Sequence, residues 1–398
     1  MNLLCRVGFN KYLLPYSSNK LRRFSSRSGV VHDPLRILFC GSDAFSIASL
    51  EALNRDRKHR PGSSSSIDVV CRPGKRVGRG LKAIREVPIK KAAQDIGLPI
   101  HEIDTFKGWQ PPAPQGQPIN LVIAVSFGLF IPARILSNAK YGGLNAHPSL
   151  LPDLWGPAPL HHTLLQRRSV TGVTIQTLHP KHFDQGAILA QTPPPGIPIP
   201  NPETCVPDDL LDLLAPIGGS MLVDSIAKGR FLTPHQSCKP FTGLPESAEL
   251  HHARKIASQD RHIDWRTWTS DEILLRQRVL GNLWDDVTYD QCSQLSQAKP
   301  TRVLYHGWEI LDQSSQRVIS DETYASPSYT LESEASLKSF RGAHILLAAE
   351  SGNCEPALGF VTADSKVIRP TSATIEGKPR GEGVSELVNL AKRKGSGL

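Results

Sequence analysis

No acidic residue occurs before Asp33 in this 398-residue chain, although Arg6, Lys11, Lys20, Arg22, Arg23 and Arg27 all do. The seven cysteines, at positions 5, 40, 71, 205, 238, 292 and 354, include no close pair, so the spacing fits neither a disulfide framework nor a zinc site. They are read as reduced and structural, with no metal expected. No stretch beyond the N-terminal segment is read as a spanning helix: the longest apolar run, Leu121 to Pro132, is about strand-sized and holds Gly128. A soluble protein with no membrane partner is therefore expected. No internal repeat is visible, and the first glycine turn, Gly41-Ser-Asp-Ala-Phe45, lacks the G-x-G-x-x-G pattern. A nicotinamide cofactor is thereby unsupported.

What is present begins with that acid-free start. Residues 1–32 are rich in Arg and Ser and carry Leu3, Leu4, Leu13 and Leu14 among the basic residues. That is the composition of a mitochondrial transit peptide, and it predicts a mitochondrial matrix location. Without its six cations the formal charge of +9 falls to about +3, so much of the basicity is an address rather than a binding surface. The remaining length suits two domains, each with its own core.

The segment from Leu35 to Cys40 reads as a buried strand, and Gly41-Ser-Asp43 as the turn into a helix over Ala44 to Leu53. A polar, loop-like insert from Asn54 to Ser66 then leads to a strand at Ile67 to Cys71. Lys90 to Ile96 and Ile131 to Asn138 read as helices, Leu121 to Val125 and Thr171 to Leu178 as strands, and Pro207 to Lys228 as another helix. Strands alternating with helices predict a Rossmann-like parallel sheet covered on both faces, with ligands beyond its carboxyl edge. Pro234, Pro240, Gly243 and Pro245 mark a linker. Beyond it lie a helix over Asp271 to Leu280 and short strands at Arg302 to Leu311, Ala343 to Ala348 and Phe360 to Ile368, the pattern of a small β-barrel. The expected boundaries are residues 33–232 for a catalytic domain, 233–252 for the linker and 253–398 for the second domain.

The densest chemistry lies between Tyr141 and Gln191. Asn145 and His147 stand two apart at what reads as a strand end, so a period-two backbone presents both on one face, and Pro148 ends the strand there. An amine attacking an acyl carbon needs a donor for the developing oxyanion, a base for the proton and a group to orient the base. Asn145, His147 and Asp184, the last in a glycine-containing turn, are residues of those types.

The strings Asn145-Ala-His147-Pro-Ser149-Leu150-Leu151-Pro152, Gly156-Pro-Ala-Pro159, Thr171-Gly-Val-Thr-Ile175 and Phe183-Asp184-Gln-Gly186 together resemble the folate-dependent formyltransferases. Gly78-Arg79-Gly80, Ser126-Phe-Gly-Leu-Phe-Ile-Pro132 and Ile263-Asp264-Trp265 continue the resemblance, which covers about residues 35–290 and is nearest to members acting on an aminoacyl-tRNA. It implies that His147 assists loss of the amine proton, that Asn145 polarises the formyl oxygen and that Asp184 positions His147. It also implies 10-formyltetrahydrofolate as donor, lying against Ser126, Phe127, Gly128 and Leu129 and the loop Ser149, Leu150, Leu151 and Pro152. The implied acceptor is the α-amino group of methionine on initiator tRNA, handled by a monomer in mitochondrial translation initiation. Such relatives carry a C-terminal OB-like tRNA-binding domain. The chain departs from the family at Asp153-Leu154-Trp155-Gly156, where Trp155 stands in place of the usual arginine.

Between Arg72 and Lys91, the cations Arg72, Lys75, Arg76, Arg79, Lys82, Arg85, Lys90 and Lys91 face one acid, Glu86, in a segment that reads as a glycine-rich loop. The resemblance makes this a tRNA-contacting loop beside the site, with Lys392, Arg393 and Lys394 near the end of the chain as a second candidate. The alternatives are a glycinamide ribonucleotide formyltransferase, a formyl-folate hydrolase that uses water, and a non-catalytic RNA-binding protein on the same fold.

Overall fold

The computed structural model describes residues 32–60, 62, 64–287, 301–311, 344–347, 357–364, 366–379, 383–385 and 387. The presequence reading over residues 1–32 falls almost wholly outside them.

Five strands form the parallel body of the larger sheet: β1 (Leu35–Gly41), β2 (Ser64–Cys71), β5 (Ile100–Glu102), β6 (Leu121–Val125) and β7 (Gly143–His147). β1 and β6 are apolar almost throughout and β2 is buried over its second half, as strands covered on both faces must be. Between β2 and β5 lie a small hairpin, β3 (Lys75–Val77) with β4 (Ala83–Arg85), and helix α2 (Pro88–Asp95). α1 (Ala44–His59) follows β1, and α3 (Ala133–Asn138) joins β6 to β7. Helix α4 (Pro159–Leu165) leads to β8 (Val170–Thr171), β9 (Thr174–Thr177), β10 (Ile188–Gln191), β11 (Ile197–Pro198) and α5 (Pro207–Ala227).

The sheet order is β10-β9-β7-β6-β1-β2-β5, and β9 and β10 run antiparallel to their neighbours. The sheet is thus parallel except at one side, where a hairpin replaces a crossover. β1 lies between β6 and β2, so the chain reverses its direction of travel across the sheet beside β1, and the carboxyl ends of β1, β6 and β7 open a crevice there.

Three expectations change. The strand expected over Thr171 to Leu178 divides into β8 and β9, which lie in different sheets. The insert expected to be a loop from Asn54 to Ser66 is mostly ordered: α1 runs on to His59 and β2 starts at Ser64. Asn54 is buried in that extension, and Arg60 bonds back to Asp56, so polar residues continue the helix by facing its own side chains. Phe360 to Ile368 is not one strand but the turn of a hairpin between β15 (Ala357–Val361) and β16 (Val367–Ile375), where Asp364 accepts from the Thr362 hydroxyl and from the Ser270 N–H and hydroxyl.

Helix α5 is also long and apolar enough to cross a membrane by length and composition, although Asp212, Ser220 and Asp224 interrupt its apolar run. Here it packs on α1. A Cβ on Gly218 would stand 2.7 Å from the Phe45 ring, and one on Gly219 2.9 Å from the Ala48 carbonyl, so two glycines let the helix axes close up.

The second sheet is antiparallel, ordered β12 (Leu283–Val287), β13 (Thr301–Ile310), β16, β15, β14 (His344–Leu347). Register shifts around Gly307 bend β13 around an aromatic core of Trp265, Tyr305, Trp308 and Phe360, as suits a barrel-type domain. Helix α6 (Ser270–Leu280) joins it to the first domain through Leu275, Val279 and Leu280, packed with Leu164, Ile199, Cys205 and Leu210. Cys40, Cys71, Cys205 and Cys238 are free, and burial pushes the Cys71 thiol up to about 11. Among the described residues no group of three or more His, Cys, Asp or Glu is placed to hold a metal.

Candidate active site

Asn145 and His147 do share a face at the carboxyl end of β7. Asn145 pairs in register with Ala124 on β6 and Gln176 on β9, and His147 with Thr174. The antiparallel hairpin returns at Asp184, whose backbone adopts φ 53°, a left-handed turn that aspartate tolerates better than most residues. This brings the Asp184 Oδ1 to 3.6 Å from His147 Nδ1, with both side chains largely buried. The separation is longer than a hydrogen bond, so the ring and the carboxylate face each other without a direct bond between them.

The other ring nitrogen of His147, Nε2, lies 3.1 Å from the Leu154 carbonyl oxygen. A carbonyl can only accept, so Nε2 carries the hydrogen. Nδ1 is then the nitrogen with the free lone pair when the ring is neutral. The Asp184 carboxylate is held at both oxygens: Oδ2 accepts from the Gly156 N–H at 2.9 Å and Oδ1 from the Gln176 amide at 3.1 Å. The Asn145 amide donates to the Ala124 carbonyl at 2.8 Å, and its oxygen accepts from Gln176 at 3.1 Å. Gln176 is only 1 % exposed and is missing from the candidates that the sequence suggests. Its one signal is a long polar residue in register beside Asn145 on the next strand, which alternation alone cannot distinguish from Thr174.

The residues assigned to the donor differ in their availability. Ser126, Gly128 and Pro152 are exposed and Leu129 is partly so, while Phe127, Leu150 and Leu151 are buried and supply packing. Ser126 has φ 48° and Gly128 φ 75°, so the chain turns sharply past β6, and a Cβ on Gly128 would stand in open space. Ser42 ties the β1 turn to this loop by donating to the Phe127 carbonyl. Burial pushes the nearby Asp43 carboxyl up, opposed by bonds from the Ser46 N–H and the Ser126 hydroxyl. Ser149 is 1 % exposed and its hydroxyl donates to the Asp153 carbonyl at 2.9 Å, bracing its own loop. A cavity of about 230 Å³ opens beside this region, lined by Phe106, Lys107, Leu129, Phe130, Pro132 and Arg134 among others.

The departure at Asp153-Leu154-Trp155 is filled by contacts from a distant segment. Asp153, 3 % exposed, pairs with Arg168 at 3.1 Å and accepts from the His251 N–H at 3.0 Å. Leu154 N–H donates to the His251 carbonyl, Ala253 N–H to the Trp155 carbonyl, and Ala158 N–H to the Ala253 carbonyl. Trp155 stacks on His252, ring centres 5.2 Å apart and planes 20° apart. Residues 251–253 thus run as a short strap along the loop that presents Leu154 to His147. Trp155→Ala is expected to lower the melting temperature by about 2–5 °C, since such a stack contributes about 0.5–1.5 kcal/mol beyond its area. An unchanged melting curve would show that the stack holds nothing.

Of the eight cations between Arg72 and Lys91, Arg72 pairs with Asp104, Lys90 with Glu86 and Glu102, and Lys91 with Asp95. Lys75, Arg76, Lys82 and Arg85 have no ion pair among the described residues and sit on the β3–β4 hairpin or its turn. The expected glycine-rich loop is therefore partly built. Its ladder from Lys75 to Arg85 gives it a backbone, with Leu81 and Ile84 58 % and 57 % exposed. Arg79 lies in the connecting turn, and Lys392, Arg393 and Lys394 lie outside the described residues.

A family model described as formyl transferase matches residues 35–205. The mitochondrial methionyl-tRNA formyltransferase of Saccharomyces cerevisiae is 32 % identical over 293 residues, covering 66 % of this chain and 72 % of that protein. The Homo sapiens mitochondrial methionyl-tRNA formyltransferase is 31 % identical over 258 residues, covering 63 % of this chain and 58 % of that one, so the match spans under two thirds of the human protein. Among solved structures, a sugar 3N-formyltransferase crystallised with dTDP and 5-N-formyl-THF aligns at 16 % identity with a TM-score of 0.46, over 88 % of this chain and 100 % of that one.

Proposed function

Because this chain belongs to the methionyl-tRNA formyltransferase family, we propose that it transfers the formyl group of 10-formyltetrahydrofolate to the α-amino group of methionine on initiator tRNA, in the mitochondrial matrix. The observation that carries this reading is the convergence of Asn145, His147 and Asp184, from one strand and a hairpin turn, at the carboxyl edge of one sheet.

The donor supplies an activated formyl carbon. The free N–H of the Asn145 amide, left over after its bond to the Ala124 carbonyl, donates to the formyl oxygen as negative charge grows there, a contribution of about 3–4 kcal/mol in comparable sites. His147, with Nε2–H engaged on the Leu154 carbonyl, takes the amine proton at Nδ1 and gives it to the donor's N10 as the tetrahedral adduct collapses, the C–N10 bond breaks and tetrahydrofolate leaves. The imidazolium so formed faces Asp184, whose carboxylate is already oriented by Gly156 and Gln176 and stabilises the new charge. No covalent intermediate on the protein is needed, and the buried Ser149 hydroxyl has no part in the chemistry. The exposed turn positions Ser126 and Gly128, the partly exposed Leu129 and the edge formed by Pro152 suit a flat pterin that needs both apolar walls and polar partners.

The acceptor tRNA is recognised through the β3–β4 hairpin, whose four cations without ion pairs among the described residues meet phosphates. The C-terminal barrel-type domain, over residues 253–398, supplies further RNA contact. The test is formylation of charged initiator tRNA by the full chain with labelled 10-formyltetrahydrofolate, run beside formate release and glycinamide ribonucleotide formylation. Label appearing as formate or on the ribonucleotide, and not on the tRNA, would reject the reading. Arg76→Ala combined with Lys82→Ala is expected to raise KM for the tRNA about tenfold and to reduce its salt slope by about 2, with the folate KM unchanged. An equal rise in both KM values would make the hairpin structural.

A further inference from the structure

Gln176 uses both of its donor hydrogens and its amide oxygen inside the site. One amide hydrogen goes to Asn145 Oδ1 and the other to Asp184 Oδ1, both at 3.1 Å, while its oxygen accepts from the Gly186 N–H at 3.1 Å. The polarity of this chain of bonds is dictated at both ends by backbone. The Gly186 N–H can only donate, so the Gln176 oxygen must face it and the NH2 must face inward. The Ala124 carbonyl can only accept, so Asn145 must turn its NH2 toward that carbonyl and its oxygen toward Gln176. If either amide turned over, like groups would be set against each other, and the buried position, 1 % exposed, offers no water to relieve them.

We infer that Gln176 is the positioning residue of this site: it fixes the amide of Asn145 so that nitrogen, not oxygen, meets the formyl oxygen, and it holds Asp184 toward His147. The inference rests on the proposed roles of Asn145, His147 and Asp184, and it adds a residue that touches no substrate. It also accounts for the burial of a neutral polar side chain between two groups of unlike demand. A glutamine can donate twice from one nitrogen and still accept from the turn, whereas a carboxylate in its place can only accept.

Gln176→Met keeps the volume and removes every bond. It should lower kcat by about 10- to 100-fold, short of the roughly 10²- to 10³-fold loss on deleting an oxyanion donor itself, with both KM values unchanged. Gln176→Glu should lose at least as much at alkaline pH and recover relative to wild type as pH falls, because only the protonated carboxyl can donate to Asn145 or Asp184. In an Asn145→Ala background the Gln176→Met change should cost much less than it does alone. Activity within threefold of wild type in both single variants, a ratio of wild-type to Gln176→Glu rates independent of pH, or activity lost together with the folded melting transition would each overturn the inference. Wild-type protein that fails to formylate methionyl-tRNA would instead sink the functional reading, so the two failures are told apart by the unmutated chain.

Discussion

His147→Ala should reduce kcat for formylation by about 10²- to 10⁴-fold, the range for loss of a positioned imidazole, and leave both KM values nearly unchanged. The ring is 5 % exposed and its Nε2–H serves the Leu154 carbonyl, so truncation also leaves a small void and an oxygen held only by the longer bond from the Ser149 hydroxyl. A drop in melting temperature is therefore expected alongside the kinetic loss. His147→Gln separates the two, because a glutamine amide can still donate toward Leu154 but offers no comparable base. The Gln variant should regain much of the stability and none of the rate. Restoration of activity with stability would mean that the imidazole acts only as packing, and the proposed chemistry would be abandoned.

Gly186→Ala should be as damaging, although it removes no functional group. A Cβ at that position would lie 1.7 Å from the Thr177 carbonyl oxygen and 2.6 Å from its carbon. Both are backbone atoms of β9, so no side-chain rotation relieves the overlap, and the hairpin carrying Asp184 has to move away from the strand carrying Gln176. A displacement of about 1 Å in a catalytic group can cost on the order of 10²-fold. Activity should fall by at least that factor while the second domain keeps its melting behaviour. The check is formylation rate beside a thermal scan, and an Ala variant within threefold of wild type would show that the turn can shift without disturbing Asp184.

The part of this site legible in the sequence is the part set by short-range periodicity. Asn145 and His147 share a face because strands alternate, and Pro148 marks where the strand stops. Asp184 is reachable through its turn and its resemblance. Gln176 is not, because its significance depends on which strand lies beside β7 and in what register, and that pairing is antiparallel where alternating strands and helices predict a parallel one. Trp155 reads as a departure from a pattern; its partner His252 lies 97 residues further on, beyond any local signal. The break in the expected strand at Phe360 to Ile368 has a similar cause, since its turn is made by Asp364 accepting from Ser270, a contact no window of sequence contains.

The strap formed by residues 251–253 bears on how this enzyme can be divided. The matched family segment stops at 205, yet the loop that presents Leu154 to His147 is completed by backbone groups of His251 and Ala253, more than 40 residues later. A catalytic half excised at the family boundary would leave the Leu154 and Ala158 N–H groups and the Trp155 carbonyl without their partners, and Asp153 short of one donor. Chimaeras that graft a relative's C-terminal half onto this chain should therefore be joined after Arg254. A junction placed before His251 would import a foreign strand into the active site itself.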